Sequence, residues 1–210
     1  MSWRGTLEPE LTMNLDDLDS NPIAQLQQWL DEAIDEGLTH PTAMSLATAG
    51  ADGRPSVRHV LCKGIDERGI EWHTNYESRK GRDLAENGYA SIVFPWFAMW
   101  RQVVTAGPVT KVSAEDSDAY FSSRDRGSQL GAWASPQTQP IPDRAWLERR
   151  VAEFDEQFKG QPVPRPSHWG GYRLRPDWID FWYSQPDRLH DRFRYERTPD
   201  DNWTVTRLAP

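Results

Sequence analysis

One cysteine in 210 residues, Cys62, excludes an intramolecular disulfide framework. The five histidines form no HxxxH pattern and CxxC does not occur, so metal-ligand spacing is missing and no metal is expected. Basic residues are scarce: 24 Lys and Arg stand against 32 Asp and Glu, a formal net charge of −8. A nucleic-acid partner would call for a basic face, so none is expected, and any anionic ligand must meet a local cationic cluster. No apolar run approaches the roughly 20 residues that cross a bilayer. The start Met1-Ser2-Trp3-Arg4-Gly5 lacks the apolar stretch of a signal peptide. The expectation is a soluble, cytoplasmic protein without a membrane partner. GxGxxG, the phosphate loop GxxxxGK[ST] and GxSxG are also missing, which disfavours a dinucleotide-binding doubly wound fold and an α/β-hydrolase.

Aromatic residues are plentiful. Eleven Trp, seven Phe and six Tyr accompany a hydrophobic fraction of 37%, enough large side chains to build a core in a polar chain of single-domain length. Residues 1–21, with Asp16, Asp17 and Asp19, are expected as a solvated polar leader, and 22–210 as one domain. Asn21-Pro22 makes a capping pair, and Ile23, Leu26, Trp29, Leu30, Ala33, Ile34 and Leu38 recur at helical spacing, which predicts a helix over 22–38. From Thr42 the period turns to alternation, and turn residues separate predicted strands over 56–63, 70–75, 90–97 and 101–112, with a short helix over 78–86. Helices over 114–123 and 144–159 follow, then short aromatic strands over 172–174, 178–183, 193–197 and 203–208. With no β-helix-β alternation, the fold class is mainly β with peripheral helices (α+β), an antiparallel barrel or sandwich.

Four clusters of cationic and hydroxyl residues stand at strand ends and helix starts. Ser78-Arg79-Lys80 opens the short helix, whose free amides and positive dipole end suit an anion; alone, a solvated basic turn is the plainer reading. Arg58 and Lys63 share one predicted strand, but five residues apart they face opposite sides unless a bulge or twist intervenes. Tyr120, Arg124 and Ser128 align every four residues if the helix runs on to 128, and phenol, guanidinium and hydroxyl together suit a phosphate monoester. Arg188, His190 and Arg192, read as a strand, face one side, and such a cationic row calls for an anionic ligand. Cys62 reads as a small buried hydrophobe and His168 as structural.

In their order these segments carry a resemblance. Pro41-Thr42-Ala43-Met44, Arg58-His59-Val60-Leu61-Cys62-Lys63, Thr74-Asn75 through Ser78-Arg79-Lys80, and Phe94-Pro95-Trp96 come first. Arg101-Gln102, Ser128-Gln129-Leu130-Gly131-Ala132-Trp133, Trp169-Gly170-Gly171, Arg188-Leu189-His190-Asp191-Arg192 and Arg207-Leu208-Ala209-Pro210 complete the series. From about residue 22 to the last, the chain resembles the pyridoxamine 5′-phosphate oxidase family.

The resemblance implies an antiparallel split β-barrel homodimer that holds FMN between subunits and oxidises pyridoxamine or pyridoxine 5′-phosphate to pyridoxal 5′-phosphate, with O2 reduced to hydrogen peroxide. It assigns Arg58, Lys63, Arg79 and Lys80 to the FMN phosphate region with Ser78, and Val60, Leu61, His73 and Thr74 to the same pocket. Gln102, Gln137, Thr138, Trp182 and Arg192 would complete the flavin site. Substrate phosphate would fall to Lys63, Tyr120, Arg124 and Ser128, and Arg188 and His190 would act as catalytic residues beside the pyridine ring. Three departures stand out: His40 where the family has an acid, His73 where it has Tyr, and no clear N-terminal Arg-x-x-Tyr segment, Trp3-Arg4 being the nearest match. Two alternatives remain open. One is a phenazine-biosynthesis flavin oxidase acting on a substrate without phosphate. The other is a non-catalytic split-barrel module that binds FMN or pyridoxal phosphate.

Overall fold

The computed structural model describes residues 12–210, so Trp3-Arg4 lies outside the described residues. Residues 15–17 of the acidic stretch form an exposed 3-10 turn, and Met13 before them is buried. Asn21 accepts the Ile23 N–H and starts α1 (Pro22–Asp35) with Pro22 in its first turn. The helix stops short of Leu38 because Gly37 takes φ of 71° and the Leu38 N–H turns back to the Ala33 carbonyl at 3.1 Å, a Schellman closure.

Ten strands follow: β1 (Ala43–Ala49), β2 (Pro55–Leu61), β3 (Gly64–Asp66), β4 (Gly69–Asn75), β5 (Tyr89–Trp96), β6 (Arg101–Lys111), β7 (Trp169–Leu174), β8 (Trp178–Tyr183), β9 (Asp191–Arg197) and β10 (Trp203–Arg207). All pair antiparallel, in the order β10-β9-β8-β6-β5-β1-β2, with β7 and β4 closing against the far end of β6. The eleven-residue β6 makes the curl possible. Its residues 101–106 pair with β8 and 109–111 with β7, and Gly107-Pro108 stands at the changeover. There the Arg175 carbonyl lies only 2.0 Å from where a Cβ on residue 107 would sit, so glycine is required for this close approach.

The curled sheet wraps a core of Met44, Leu46, Trp72, Ile92, Phe94 and Phe181, covered by Leu26 and Trp29 of α1. The helices α2 (Arg79–Glu86), α3 (Ala114–Ser123), α4 (Arg126–Ala134) and α5 (Arg144–Gln157) lie outside. A second small core of Phe121, Leu130, Phe158, Val163 and Trp169 fastens α3, α4 and α5 to the end of β7. Two elements were not expected: β3 is only three residues long, and α4 was hidden by Arg124-Asp125-Arg126-Gly127. Among the described residues no helix is long and apolar enough to cross a membrane, and no group of three or more His, Cys, Asp or Glu could hold a metal ion.

Candidate active site

The end of β2, the middle of β4, the start of α2 and the α3–α4 junction enclose a cleft of about 930 Å³. Its cationic lining residues are Arg58, Lys63, Arg79, Lys80 and Arg124, set against one carboxylate, Asp125. In a chain of net charge −8 this is a concentrated positive field.

Lys80 is the deepest of the five, at 6% exposure. Ser78 caps α2 and turns the lysine inward, where Nζ donates to Thr74 Oγ1 and Ser78 Oγ at 3.1 Å each and to Gln137 Oε1 at 2.7 Å. All three acceptors are neutral. Burial, and then the nearby Arg58 charge, pulls the Lys80 pKa from 10.5 down to about 8. An anion here would offset that desolvation and meet the positive end of the α2 dipole. Thr138, at φ of 68°, accepts the Arg79 N–H at 2.9 Å and holds the 137–138 loop across the same opening. Arg58 reaches in from β2, its guanidinium held by Thr48 Oγ1 at 2.6 Å and Ser56 Oγ at 2.7 Å. Val60, Leu61, His73 and Thr74 complete this side.

The strand expected to carry both Arg58 and Lys63 ends at Leu61. Lys63 lies beyond it, its N–H on the Glu71 carbonyl at 2.8 Å, so the two cations share one cleft without a bulge. The helix expected over 114–123 is α3, and the condition for a four-residue alignment, its running on to Ser128, is not met. α3 ends at Ser123, Arg124 is extended, and Asp125 caps α4 by accepting the Ser128 N–H at 2.8 Å. The break does not scatter Tyr120, Arg124 and Ser128; all three line the cleft.

Around them is an aromatic stack that the sequence did not reveal as a unit. The His73 ring lies 4.0 Å from Tyr120 and 5.4 Å from Trp169, with the Arg124 guanidinium 4.7 Å over Trp169 and Lys63 Nζ 5.7 Å over Tyr120. The His73 side chain is 2% exposed. Burial first, then Lys63, Arg124 and Arg165, lowers its pKa to about 4, so the ring is neutral at pH 7. Neither His73 nitrogen nor Arg124 Nη1 has a hydrogen-bond partner among the described residues. The Glu71 carboxylate stands 3.6 Å from His73 Nε2, just beyond hydrogen-bond reach. Gly170 and Gly171 give the stack its room. A Cβ at the first would lie 2.1 Å from Tyr76 Oη, and one at the second 2.9 Å from His73 Nε2. Trp169 belonged to a recognised motif without a role; its place beside a glycine pair was the available signal.

The other expected site residues lie elsewhere. Gln102, Trp182 and Arg192 stand side by side across β6, β8 and β9, in the register Gln102 to Trp182 to Arg192. The His190 ring centroid is 4.5 Å from that of Trp182. Three strands, β6, β5 and β1, come between β8 and β2 in the sheet, and none of these four residues lines the cleft. Arg192 donates twice to the buried Asp180, which fixes its guanidinium. The expected strand holding Arg188, His190 and Arg192 on one face is corrected: Pro186–Arg188 is a 3-10 turn and β9 begins at Asp191. Arg188 is exposed on that turn with φ of 64°.

Cys62 is buried, its thiol pushed up to about 11 mainly by burial, which makes it a poor nucleophile. His168 is in contact with the Ala132 carbonyl at 3.0 Å through Nε2, a structural bond. His40 sits exposed in a turn at φ of 58°, outside the cleft.

The sequence matches the family pattern described as pyridoxamine 5′-phosphate oxidase over residues 30–158, and the pyridoxine 5′-phosphate oxidase C-terminal dimerisation region over 169–210. The pyridoxine/pyridoxamine 5′-phosphate oxidase of Paraburkholderia phymatum is 53% identical over 199 residues, 95% of this chain and 93% of the relative. That of Acidothermus cellulolyticus is 52% identical over 198 residues, 92% of this chain and 88% of the relative. Among solved structures, PhzG from Burkholderia lata in complex with tetrahydrophenazine-1-carboxylic acid superposes with a TM-score of 0.89 at 36% identity, covering 96% of this chain and 98% of its own. A pyridoxamine 5′-phosphate oxidase-related FMN-binding protein from Nostoc punctiforme shares the fold, at a TM-score of 0.73 and 18% identity, over 92% of this chain and 100% of its own. The curled antiparallel sheet and the ordered motifs agree with these matches, and the chain belongs to the pyridoxamine 5′-phosphate oxidase family.

Proposed function

We propose that this chain is a cytoplasmic, FMN-dependent oxidase that converts pyridoxamine and pyridoxine 5′-phosphates to pyridoxal 5′-phosphate, with O2 as acceptor and hydrogen peroxide as product. The observation that carries this reading is the pairing of two anion sites in one cleft. The Lys80 pocket is one; Arg124, Tyr120, Ser128 and Lys63 form the other. A flavin phosphate and a substrate phosphate need separate cationic clusters. A phenazine oxidase working on a substrate without phosphate would leave the second cluster idle, and its buried Arg124 Nη1 without a partner.

The residues present fit FMN. A buried ammonium held only by neutral acceptors, beside a capped helix start and Arg58, suits a phosphate monoester. When bound, FMN supplies a two-electron acceptor that takes a hydride from the vitamer C4′ carbon and passes the electrons to O2. Arg58, Arg79 and Lys80 hold the phosphate end, while Gln137 and Thr138 close over it. Arg124, Tyr120 and Ser128 fix the substrate phosphate and so set the distance at which the pyridine ring lies, converting binding into orientation.

Gln102, Trp182 and Arg192, with Arg188 and His190 beyond them, form the other half of this site. The two halves of one chain are apart, so two-fold assembly sets the row of one copy against the cleft of the other, as a C-terminal dimerisation region suggests. Exposed apolar side chains beside both halves support this: Val57 and Leu61 flank the cleft, and Leu189 at 72% exposure adjoins the row. Arg188 and His190 would then lie beside the substrate ring and hold its polar groups in the orientation that hydride loss requires.

The deciding experiment is aerobic turnover of FMN-loaded protein with each vitamer phosphate, following pyridoxal phosphate and peroxide together. Equal formation of both supports the reading; a folded yellow protein that turns over neither vitamer but oxidises a dihydrophenazine overturns it. Arg124→Ala should raise KM for phosphorylated vitamers by roughly 100-fold and change kcat much less, because the lost charge-assisted bonds act on ground state and transition state alike. An unchanged KM removes Arg124 from the phosphate site.

FMN affinity should also fall as pH rises. Lys80 in the flavin-free protein loses its proton near pH 8, whereas the phosphate complex requires the ammonium. Each pH unit above 8 therefore weakens binding up to about tenfold, with little change from this group below 8. Titration of the apoprotein by flavin fluorescence quenching checks this. Lys80→Arg, which keeps its charge, should flatten the profile.

A further inference from the structure

The turn between β8 and β9 holds His190 in one particular form. The backbone N–H of Gln185 donates to His190 Nδ1 at 3.0 Å. An amide N–H can only donate, so Nδ1 must offer its lone pair, and the proton of the neutral ring then sits on Nε2. The opposite tautomer would set Nδ1–H against N–H, donor against donor.

Gln185 is itself anchored on both sides. Its side-chain Nε2 donates to Asp191 Oδ2 at 2.9 Å. Asp191 is 3% exposed and also accepts the Met13 N–H at 2.9 Å and a bond from the Arg207 guanidinium. Immediately before Gln185, the Ser184 N–H is fixed on the Trp100 carbonyl at 2.8 Å. The amide that selects the histidine tautomer thus rests on a buried carboxylate that also ties residue 13 to β10. The His190 ring, 4.5 Å from Trp182, packs against the same row assigned above to the flavin.

We propose that Gln185 is a positioning residue that locks His190 as the Nε2–H tautomer, so that His190 meets the substrate as a hydrogen-bond donor and not as a general base. The role of the donor rests on the oxidase reading; the tautomer does not. As an Nε2–H donor His190 holds and orients a lone pair of the vitamer, and the proton released when C4′ is oxidised passes to solvent and not to this ring. Arg188, two residues before His190, supplies a second donor from the same turn.

The test is 15N NMR of the full chain, FMN-loaded and labelled in its histidine rings, at neutral pH. The His190 signals are assigned by their loss in His190→Gln, or by elimination through single substitutions of His40, His59, His73 and His168. Expected is an imine-type shift for Nδ1 and a pyrrole-type, proton-bearing Nε2. A proton on Nδ1, or a doubly protonated ring, overturns the proposal, and the unsubstituted protein decides this point whatever the variants do. Gln185→Ala keeps the backbone N–H but cuts the tether to Asp191. It should mix the two tautomers in the spectrum and lower kcat by roughly tenfold with KM nearly unchanged. A Gln185→Ala enzyme with unaltered His190 signals and unaltered kcat overturns the positioning role. The predicted tautomer in a protein that oxidises no vitamer supports the lock and fails the oxidase reading alone.

Discussion

Lys80→Met is expected to purify colourless, with its FMN dissociation constant raised by about 100-fold. A hydrogen bond to a charged group contributes up to about 3 kcal/mol, which corresponds to a factor of that size. Lys80 is the member of the cationic set for which this full figure applies, because at 6% exposure neither solvent nor salt screens it. The same substitution should have the opposite effect on the flavin-free fold. Methionine has nearly the length of lysine without its charge, and in the apoprotein that charge is buried against three neutral acceptors. The apo form of Lys80→Met should therefore melt higher than unsubstituted apoprotein, while FMN no longer raises its Tm. Flavin titration and thermal melts with and without FMN measure both signs. A variant that loses flavin and stability together would place Lys80 in the fold and not in the phosphate site.

The local chemistry of the fold was legible, and the long-range assembly of the site was not. Asn21, Ser78, Ser113 and Asp143 are capping residues whose side chains accept a backbone N–H of the first turn, so their helices start where polarity and period change. Alternation likewise marks β1, whose even-numbered residues Met44, Leu46 and Thr48 are buried. The failures have a common physical origin. Tyr120, Arg124 and Ser128 would align only on a helix running on to 128, but Asp125 prefers to cap, and capping demands an extended residue before the new helix. Arg188 to Arg192 reads as a strand on alternation, whereas Pro186 cannot donate in a ladder and two residues at positive φ turn the chain.

Spacing along the chain says nothing about which strands become neighbours. Gln102, Trp182 and Arg192 are separated by up to 90 residues and meet because β6, β8 and β9 pair in that register. The His73, Tyr120 and Trp169 stack arises in the same way, from β4 beside β7 with α3 across them. The family resemblance named most of these residues. It did not tell which of them line the cleft and which lie on the row across β6, β8 and β9.

Arg188→Ala should lower kcat by a factor on the order of 100, the size of effect expected when a group that orients the reacting ring is lost, while FMN stays bound. Arg188→Gly should be equally slow yet fold more stably. The reason lies in the backbone. Asp187 and Arg188 both take left-handed conformations, φ of 55° and 64°, in a turn without glycine. Each such residue costs about 1–2 kcal/mol relative to a right-handed one. Glycine at 188 would relieve its share, so for folding alone this is a poor place for arginine. A guanidinium held on a strained turn, between a proline and the strand that carries Asp191 and Arg192, is aimed by the backbone instead of by its own flexible side chain. Steady-state kinetics, flavin content and Tm of the two variants separate the roles. Slow turnover with retained flavin in both, and a raised Tm in the glycine variant alone, means that stability is given up at this turn for catalysis. Flavin loss in both would move Arg188 into the cofactor site, and near-normal turnover in the glycine variant would leave the strained turn without a catalytic purpose.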